Sequence, residues 1–276
     1  MKKIAIRAGL VSVIATFYVN SAWAILPIEH WQQPSGAQVW LVHSPSIPMV
    51  DVQLQFDGGS RRDPVGQEGL ANATALMMGK GIQAAQGQKP LDENALGQAW
   101  ADLGASLEAG AGNDSFSFSL RSLTQPALLA QVTALASRQI AQPLWDGKVW
   151  QRERQRWTAG LAEADTRPGT VAGEAFAQAV FGGGPCGRCT TAQTPAEEGV
   201  SAPLAQAMYG GHPYGRFTTA QTLAQIDIPA MQAFYRQTVQ PCRAKVSVVG
   251  ALDKAQTDAL VTQLLQRLPP SATAPA

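Results

Sequence analysis

Two stretches in which apolar and polar residues strictly alternate constrain the fold of this 276-residue chain most. Every second residue of 50–56 is apolar, and in 115–121 the residues Phe116, Phe118 and Leu120 face away from a row of serines. Because successive side chains of a strand point to opposite faces, each stretch predicts a strand with one buried and one polar face. The sequence therefore predicts a sheet that is covered on one side.

The layer that covers the sheet is predicted to consist of helices, because apolar residues recur at helical spacing in several stretches. We expect helices near 68–79, 93–103, 126–140, 145–165, 170–181, 228–238 and 254–267, and further strands near 40–43, 105–110 and 245–249. Strands and helices grouped in this way are typical of an α+β fold. The predicted architecture is an antiparallel sheet backed by helices.

Composition narrows the functional classes. The chain is 45% hydrophobic and 15% charged, with a formal net charge of +1, as in an ordinary globular protein. So small a net charge provides no long-range attraction for nucleic acid or for anionic lipid. We therefore expect neither nucleic acid nor a membrane surface as a partner.

The first 24 residues have the pattern of a signal peptide. Basic residues within 2–7 precede an apolar run at 8–19 and a small-residue cleavage site at 22–24. The apolar run is too short to span about 30 Å of hydrocarbon, so export with cleavage is favoured over a membrane anchor. Residues 1–24 are predicted to be removed and the mature chain to be periplasmic.

The remaining chain is predicted to form one domain, at 25–268, with a disordered tail at 269–276. Residues 178–194 match residues 206–222 at 12 of 17 positions. Two copies are too few for a solenoid, so the pattern indicates a local duplication inserted at about 178–205.

The first copy contains a CxxC pair, Cys186 and Cys189, where the second copy has Tyr214 and Phe217. A redox centre of this type needs a strand before it and a helix after it, and here glycines precede it. A disulfide between Cys186 and Cys189, or two free thiols, is favoured over a thiol-redox function.

Several short motifs occur in a fixed order. They are the Gly-Ser-Arg-Arg turn from Gly59, the Gly-Leu-Ala helix start at 69–71, Thr-Arg-Pro-Gly at 166–169, His-Pro-Tyr-Gly at 212–215 and a closing Val-Ser-Val-Val-Gly strand at 246–250. Over about 28–268 this order resembles the insulinase/pitrilysin-type metallopeptidases, the inverted zincins. In that family the helix reads G-L-A-H-x-x-E-H, in which the histidines bind zinc and the glutamate activates water.

The resemblance implies that the catalytic chemistry has been lost. The family's ligand and base positions fall on Asn72, Ala75 and Leu76, and its downstream glutamate ligand falls on Gly160. None of these side chains binds zinc or accepts a proton, so no cofactor is expected. The mature histidines are far apart in sequence, at His30, His43 and His212. A zinc peptidase with non-standard ligands, or a degenerate truncated remnant, remains as an alternative.

The family also implies partners. Non-catalytic members are expected to pair with an active peptidase subunit and to help enclose an extended polypeptide. The position of the family's substrate-contacting edge strand falls on Ser106, Leu107, Glu108 and Ala109, followed by Asn113. An edge strand binds peptide through main-chain hydrogen bonds, without a catalytic residue. The alternative is a strand paired on both sides within the sheet.

Overall fold

The computed structural model describes residues 27–85, 87–181, 213 and 216–269. The main sheet has six strands in the order β1-β2-β8-β3-β7-β6, and β4 and β5 form a small separate pair. The strands are β1 (Ile28–Gln32), β2 (Gln38–His43), β3 (Met49–Asp57), β4 (Gly81–Ile82), β5 (Leu91–Asp92), β6 (Ser106–Ala111), β7 (Ser115–Leu123) and β8 (Lys245–Gly250).

Several helices pack on one face of this sheet. In chain order, the helices are α1 (Leu70–Met78), α2 (Glu93–Asp102), α3 (Pro126–Ala141), α4 (Gly147–Ala164), α5 (Pro168–Phe181), α6 (Ala220–Ala224), α7 (Ile228–Thr238) and α8 (Lys254–Leu265). Aspartates at 92, 146, 227 and 253 each accept a hydrogen bond from the first turn of the following helix. Such N-caps satisfy backbone N–H groups that have no partner inside the helix, and they fix where these helices begin.

The core lies between the sheet and these helices. The apolar sides of the two alternating strands, β3 and β7, are fully buried, including Phe56, Phe116 and Phe118. Helix α1 packs against β6 and α7, whereas α3 packs against β7 and α8. The other face of the sheet is mainly polar and exposed, and there Arg121 of β7 donates to Asp51 of β3 at 2.6 Å.

The predicted α+β class is confirmed, with one correction to the sheet. Strand β2 pairs with β8 in parallel, while the remaining pairs of the main sheet are antiparallel. The parallel pair arises because β8, near the end of the chain, inserts between β2 and β3. The sequence patterns also missed β1, which contains His30, as well as the β4–β5 pair and the short helix α6.

Several sequence predictions concern residues outside the described part. They are the signal peptide at 1–24, the cysteine pair at 186 and 189, most of the duplicated segment at 178–205, and the tail from 270 onward. These remain predictions.

Candidate functional site

Helix α1 is the centre of the candidate site, and a buried aspartate fixes its start. Asp63 is 4% exposed, and its two carboxylate oxygens accept hydrogen bonds from the backbone N–H groups of Gly69 (2.8 Å) and Ala71 (2.9 Å). Burial raises the pKa of Asp63 to about 6, although these two hydrogen bonds act to lower it. Gly69 itself has a φ of 104°, which glycine adopts without strain.

Residues that follow the His-Pro-Tyr-Gly motif in sequence form hydrogen bonds at the start of helix α1. Arg216 donates to the carbonyl oxygen of Asp63 at 3.0 Å and lies 3.8 Å from a carboxylate oxygen of Glu68. The hydroxyl of Thr222 donates to the carbonyl oxygen of Glu68 at 2.9 Å. Residues that are about 150 positions apart in sequence are thus brought together around the first turn of α1.

The residues at the family's ligand positions are on two helices. Asn72 and Leu76 lie on α1 and are half-buried, while Ala75 is buried among core side chains. Gly160 lies on α4 and is exposed, and a Cβ added there would meet nothing within 4 Å. These positions therefore present an amide, a methyl group, an isobutyl group and a hydrogen atom.

Those groups do not fit a zinc ion, which takes imidazole, thiolate or carboxylate ligands. Within 27–85, 87–181, 213 and 216–269, no three His, Cys, Asp or Glu residues converge in an arrangement that holds a metal. Both described histidines have structural partners: His30 stacks on Trp40 and contacts Gln38, and Nδ1 of His43 lies 2.8 Å from the carbonyl oxygen of Leu252.

An ion cluster joins the end of α1 to α4. Lys80, just beyond α1, lies 2.6 Å from Glu93 of α2 and 3.5 Å from Glu153 of α4. Arg152 bridges the same two glutamates, and Arg156 lies 3.4 Å from Glu153. The hydrogen bond from Lys80, with a further one from Arg152, holds the pKa of Glu93 below its usual range. Electrostatic contacts therefore connect these three helices where no metal ligands are present.

The predicted substrate strand lies at an edge of the sheet. Of the described strands, only β7 pairs with β6, so the other side of β6 has no strand neighbour there. Ser106 and Glu108 are exposed on the outer face, while Leu107 is buried toward the helices and Ala109 is half-buried. This geometry favours the edge strand over the fully paired alternative.

The pairing pattern shows which backbone groups of β6 point outward. The N–H of Gly112 donates to the carbonyl oxygen of Ser115, which begins the ladder between β6 and β7. Since hydrogen-bonded and non-bonded pairs alternate in an antiparallel ladder, Gly110 and Glu108 face β7. The N–H and C=O groups of Leu107 and Ala109 are consequently directed at the open edge.

The hairpin turn at the end of β6 is held in place. The backbone N–H groups of Ser60 and Arg61 donate to the carbonyl oxygens of Gly112 (2.9 Å) and Asn113 (3.0 Å). The side chain of Asn113 accepts a hydrogen bond from the hydroxyl of Ser60 at 3.3 Å. Asn113 is therefore a residue that positions this edge, as well as a candidate contact for a bound peptide.

Sequence reasoning missed Asp63 and Arg216 as organisers of the site. Asp63 carried no local capping signal, because the N-cap position is Gly69 and Asp63 lies six residues before it. Arg216 carried none, since its contacts with the Asp63 carbonyl and Glu68 depend on tertiary folding.

The six-stranded sheet, the capped helix α1 beneath it and the edge strand β6 define the fold of an M16 peptidase domain. The chain is similar to the crystal structure of a peptidase M16 inactive domain from Pseudomonas fluorescens, with a TM-score of 0.73 and 22% identity over 91% of this chain and 53% of that one. It is also similar to the periplasmic protease PqqL from Escherichia coli (TM-score 0.66, 19% identity, 92% of this chain and 26% of that one). A third similar structure is pitrilysin (0.65, 20%, 92% and 24%).

These TM-scores show a shared fold, and the resemblance inferred from the motifs agrees with it. The chain spans about half the length of the inactive-domain structure, or less in the two proteases. No family model and no curated protein matches the sequence. Among the described helices, none is both long and apolar enough to cross a membrane.

Proposed function

We propose that this chain is a non-catalytic M16-like module that is exported to the periplasm, captures extended polypeptide along β6 and acts together with an active peptidase subunit. The open edge of β6 carries the proposal. Leu107 and Ala109 direct main-chain donors and acceptors at that edge, and such groups pair with an incoming strand whatever its sequence.

The side chains of β6 also favour strand addition. Ala109, Gly110 and Ala111 are small, so they leave room beside the strand for another backbone. A long exposed edge is normally covered or charged, because it attracts other strands. Glu108 is the one charged residue of β6, and it is on the outer face of the sheet.

The proposal excludes hydrolysis because of the side chains at the family's zinc-ligand and base positions. Hydrolysis in the family needs zinc and a base, and Asn72, Ala75, Leu76 and Gly160 supply neither. Binding through the backbone needs none of these groups. The function that remains chemically available to this site is therefore capture without cleavage.

Export is supported by the N-terminal sequence and by one similar structure. The basic and apolar pattern of residues 1–24 is that of a signal peptide, and PqqL, which shares the fold, is a periplasmic protease.

Peptide capture is tested by fluorescence anisotropy with labelled unfolded peptides. Ala109→Pro removes one outward N–H without removing a ladder hydrogen bond, and it is expected to weaken binding about tenfold, the effect of one lost main-chain hydrogen bond. Ala109→Ser keeps the N–H and serves as the matched control. Thermal unfolding of each variant checks that the fold is intact.

A second measurement leaves the protein unchanged. Peptides that are N-methylated at alternate residues cannot pair along one edge, so the wild-type chain is expected to bind them more weakly than unmodified peptides. Equal affinity for both, or no binding of either, would contradict capture along β6.

The partner role is tested separately, by co-purification from a periplasmic extract of a chain with an intact H-x-x-E-H motif; if none is recovered, the partner role is wrong.

A further inference from the structure

An open pocket of about 370 Å³ lies where β3 and α7 end, and we call it the α7 pocket. Asp57 at the end of β3 and Arg62 in the turn after it line this pocket. Gln237 of α7 also lines it, together with Gln240 and Arg243 of the segment that follows α7. None of the lining residues belongs to β6 or to the positions that replace the family's zinc ligands. The α7 pocket is therefore separate from the candidate site.

Two further lining residues, Phe234 and Thr238, are held in place by the core. Phe234 is 7% exposed and Thr238 is 4% exposed. The ring of Phe234 packs against the ring of Phe116, with the two centroids 6.2 Å apart. A Cβ added at Gly58 would lie 2.5 Å from the methyl carbon of Thr238, so glycine lets the end of β3 approach α7 this closely. The α7 pocket is therefore preformed, and Phe234 gives it an apolar surface.

The negative charge in the α7 pocket is already compensated. The carboxylate of Asp57 accepts hydrogen bonds from the guanidinium groups of Arg61 and Arg62. Burial acts to raise the pKa of Asp57, but the hydrogen bonds and charges of Arg62 and Arg61 outweigh burial and hold this pKa below its usual range. Asp57 therefore remains ionised and is paired without any contribution from Arg243.

Arg243 adds a positive charge that has no counterpart. In the part of the chain that the structure describes, the side chain of Arg243 forms no ion pair and no hydrogen bond. It is exposed, as is Gln237, while Gln240 is half-buried. Side-chain amides can donate hydrogen bonds to an anion beside a guanidinium group. The α7 pocket thus combines one unpaired cation, two amides and an apolar surface.

We propose that the α7 pocket binds the carboxylate of an organic acid, either a small molecule or the C terminus of a peptide, with Arg243 as the ion-pair partner. The planar guanidinium group matches a carboxylate through two parallel hydrogen bonds. The carbon chain next to the carboxylate would rest on Phe234. A phosphate dianion fits less well, because Asp57 in the same pocket repels a second negative charge. The proposal does not depend on capture along β6, because no residue of β6 lines the α7 pocket.

Isothermal titration calorimetry with N-acetylphenylalanine and with its neutral amide tests the proposal. The acid is expected to bind at least about tenfold more tightly than the amide, because only the acid pairs with Arg243. Arg243→Gln is expected to weaken binding of the acid about tenfold. Arg236→Gln removes the same charge from an exposed position of α7 that does not line the pocket, and it is expected to leave the affinity unchanged. Thermal unfolding of both variants checks that the fold is intact.

The source of the carboxylate is identified with a short peptide and its C-terminal amide. Capture along β6 does not depend on the terminal group, so the difference between these two peptides measures the α7 pocket alone. A peptide acid that binds more tightly than N-acetylphenylalanine assigns the pocket to peptide ends, and equal affinities assign it to small acids. No binding of any acid, equal binding of acid and amide, tighter binding of inorganic phosphate, or equal losses for Arg243→Gln and Arg236→Gln would overturn the proposal.

Discussion

The ammonium group of Lys80 lies 3.5 Å from a carboxylate oxygen of Glu153, and this pair connects the segment that follows α1 to α4. The side chain of Glu153 is only 8% exposed, and two arginines of its own helix also approach it. The pair thus holds together the two helices that carry Asn72, Ala75, Leu76 and Gly160.

Removing the carboxylate of Glu153 is expected to leave the ammonium group of Lys80, which is 13% exposed, with Glu93 as its remaining acidic partner. We predict that Glu153→Ala lowers the free energy of unfolding by about 1.5–3 kcal/mol, because it removes charged hydrogen bonds from a side chain that is only 8% exposed. Arg156→Ala changes an exposed member of the same cluster and is expected to cost less than about 1 kcal/mol. Urea unfolding measures both, and equal losses for the two variants would contradict the structural role of the Lys80–Glu153 pair.

Asp63 is expected to make stability depend on pH. Its pKa of about 6 in the folded protein lies above the ordinary 3.8, so the folded state binds the proton more tightly than the unfolded state does. The resulting stability is complete below about pH 4 and is lost as the pH rises through about 6. Between pH 4 and pH 7 the wild type should lose roughly 2–3 kcal/mol relative to Asp63→Asn, which cannot titrate.

Denaturant unfolding at several pH values measures that difference. If Asp63→Asn and the wild type follow parallel curves, the carboxyl group of Asp63 does not have a raised pKa.

The exposed position of Gly160 offers a stabilising substitution. A Cβ at this site on α4 meets nothing within 4 Å, so Gly160→Ala should raise the free energy of unfolding by about 0.5–1 kcal/mol through higher helix propensity. The same change at Gly250 should destabilise by more than about 2 kcal/mol, since φ there is 151° and a Cβ would collide with the carbonyl oxygen of Met49. Thermal unfolding shows whether each substitution raises or lowers the stability of the protein.

Tyr235 is expected to contribute through its hydroxyl as well as its ring. Its ring packs against Phe116, Phe118 and Trp145, and its hydroxyl donates to the carbonyl oxygen of Ile140. Tyr235→Phe keeps the packing but leaves a buried carbonyl without that donor, at a cost of about 1–2 kcal/mol. Burial raises the pKa of Tyr235, so the loss should be constant from pH 6 to pH 9. If the loss in unfolding free energy varies over this pH range, the hydroxyl of Tyr235 does not act as a neutral donor.

The alternation of apolar and polar residues, and the helical spacing of apolar residues, were sufficient to predict most of the strands and helices. The strands around Val52 and Phe118 and helix α7 were predicted nearly at their observed bounds, because their burial follows a local periodicity. Strand β1 was missed because it is an edge strand with four exposed residues, so no apolar alternation marks it. The parallel pairing of β2 with β8 depends on contacts across about 200 residues, which local patterns do not encode.

For the candidate site, the sequence predicted the positions of some residues but not their contacts. Motif order located Asn72, Ala75, Leu76 and Gly160 on two helices, as the structure has them. Sequence left open whether β6 was an edge strand, and the sheet order favours the edge. The ion cluster around Glu153 joins three helices, and the sequence around each residue gives no sign of it.

The position of β8 between β2 and β3 determines when folding can finish. Residues 245–250 form the last strand of the described sheet in chain order, and until they pair, β2 and β3 have no shared neighbour to hydrogen-bond. The sheet therefore closes only through long-range pairing, which makes closure slow. While it is open, the facing edges of β2 and β3 can pair with strands of other molecules.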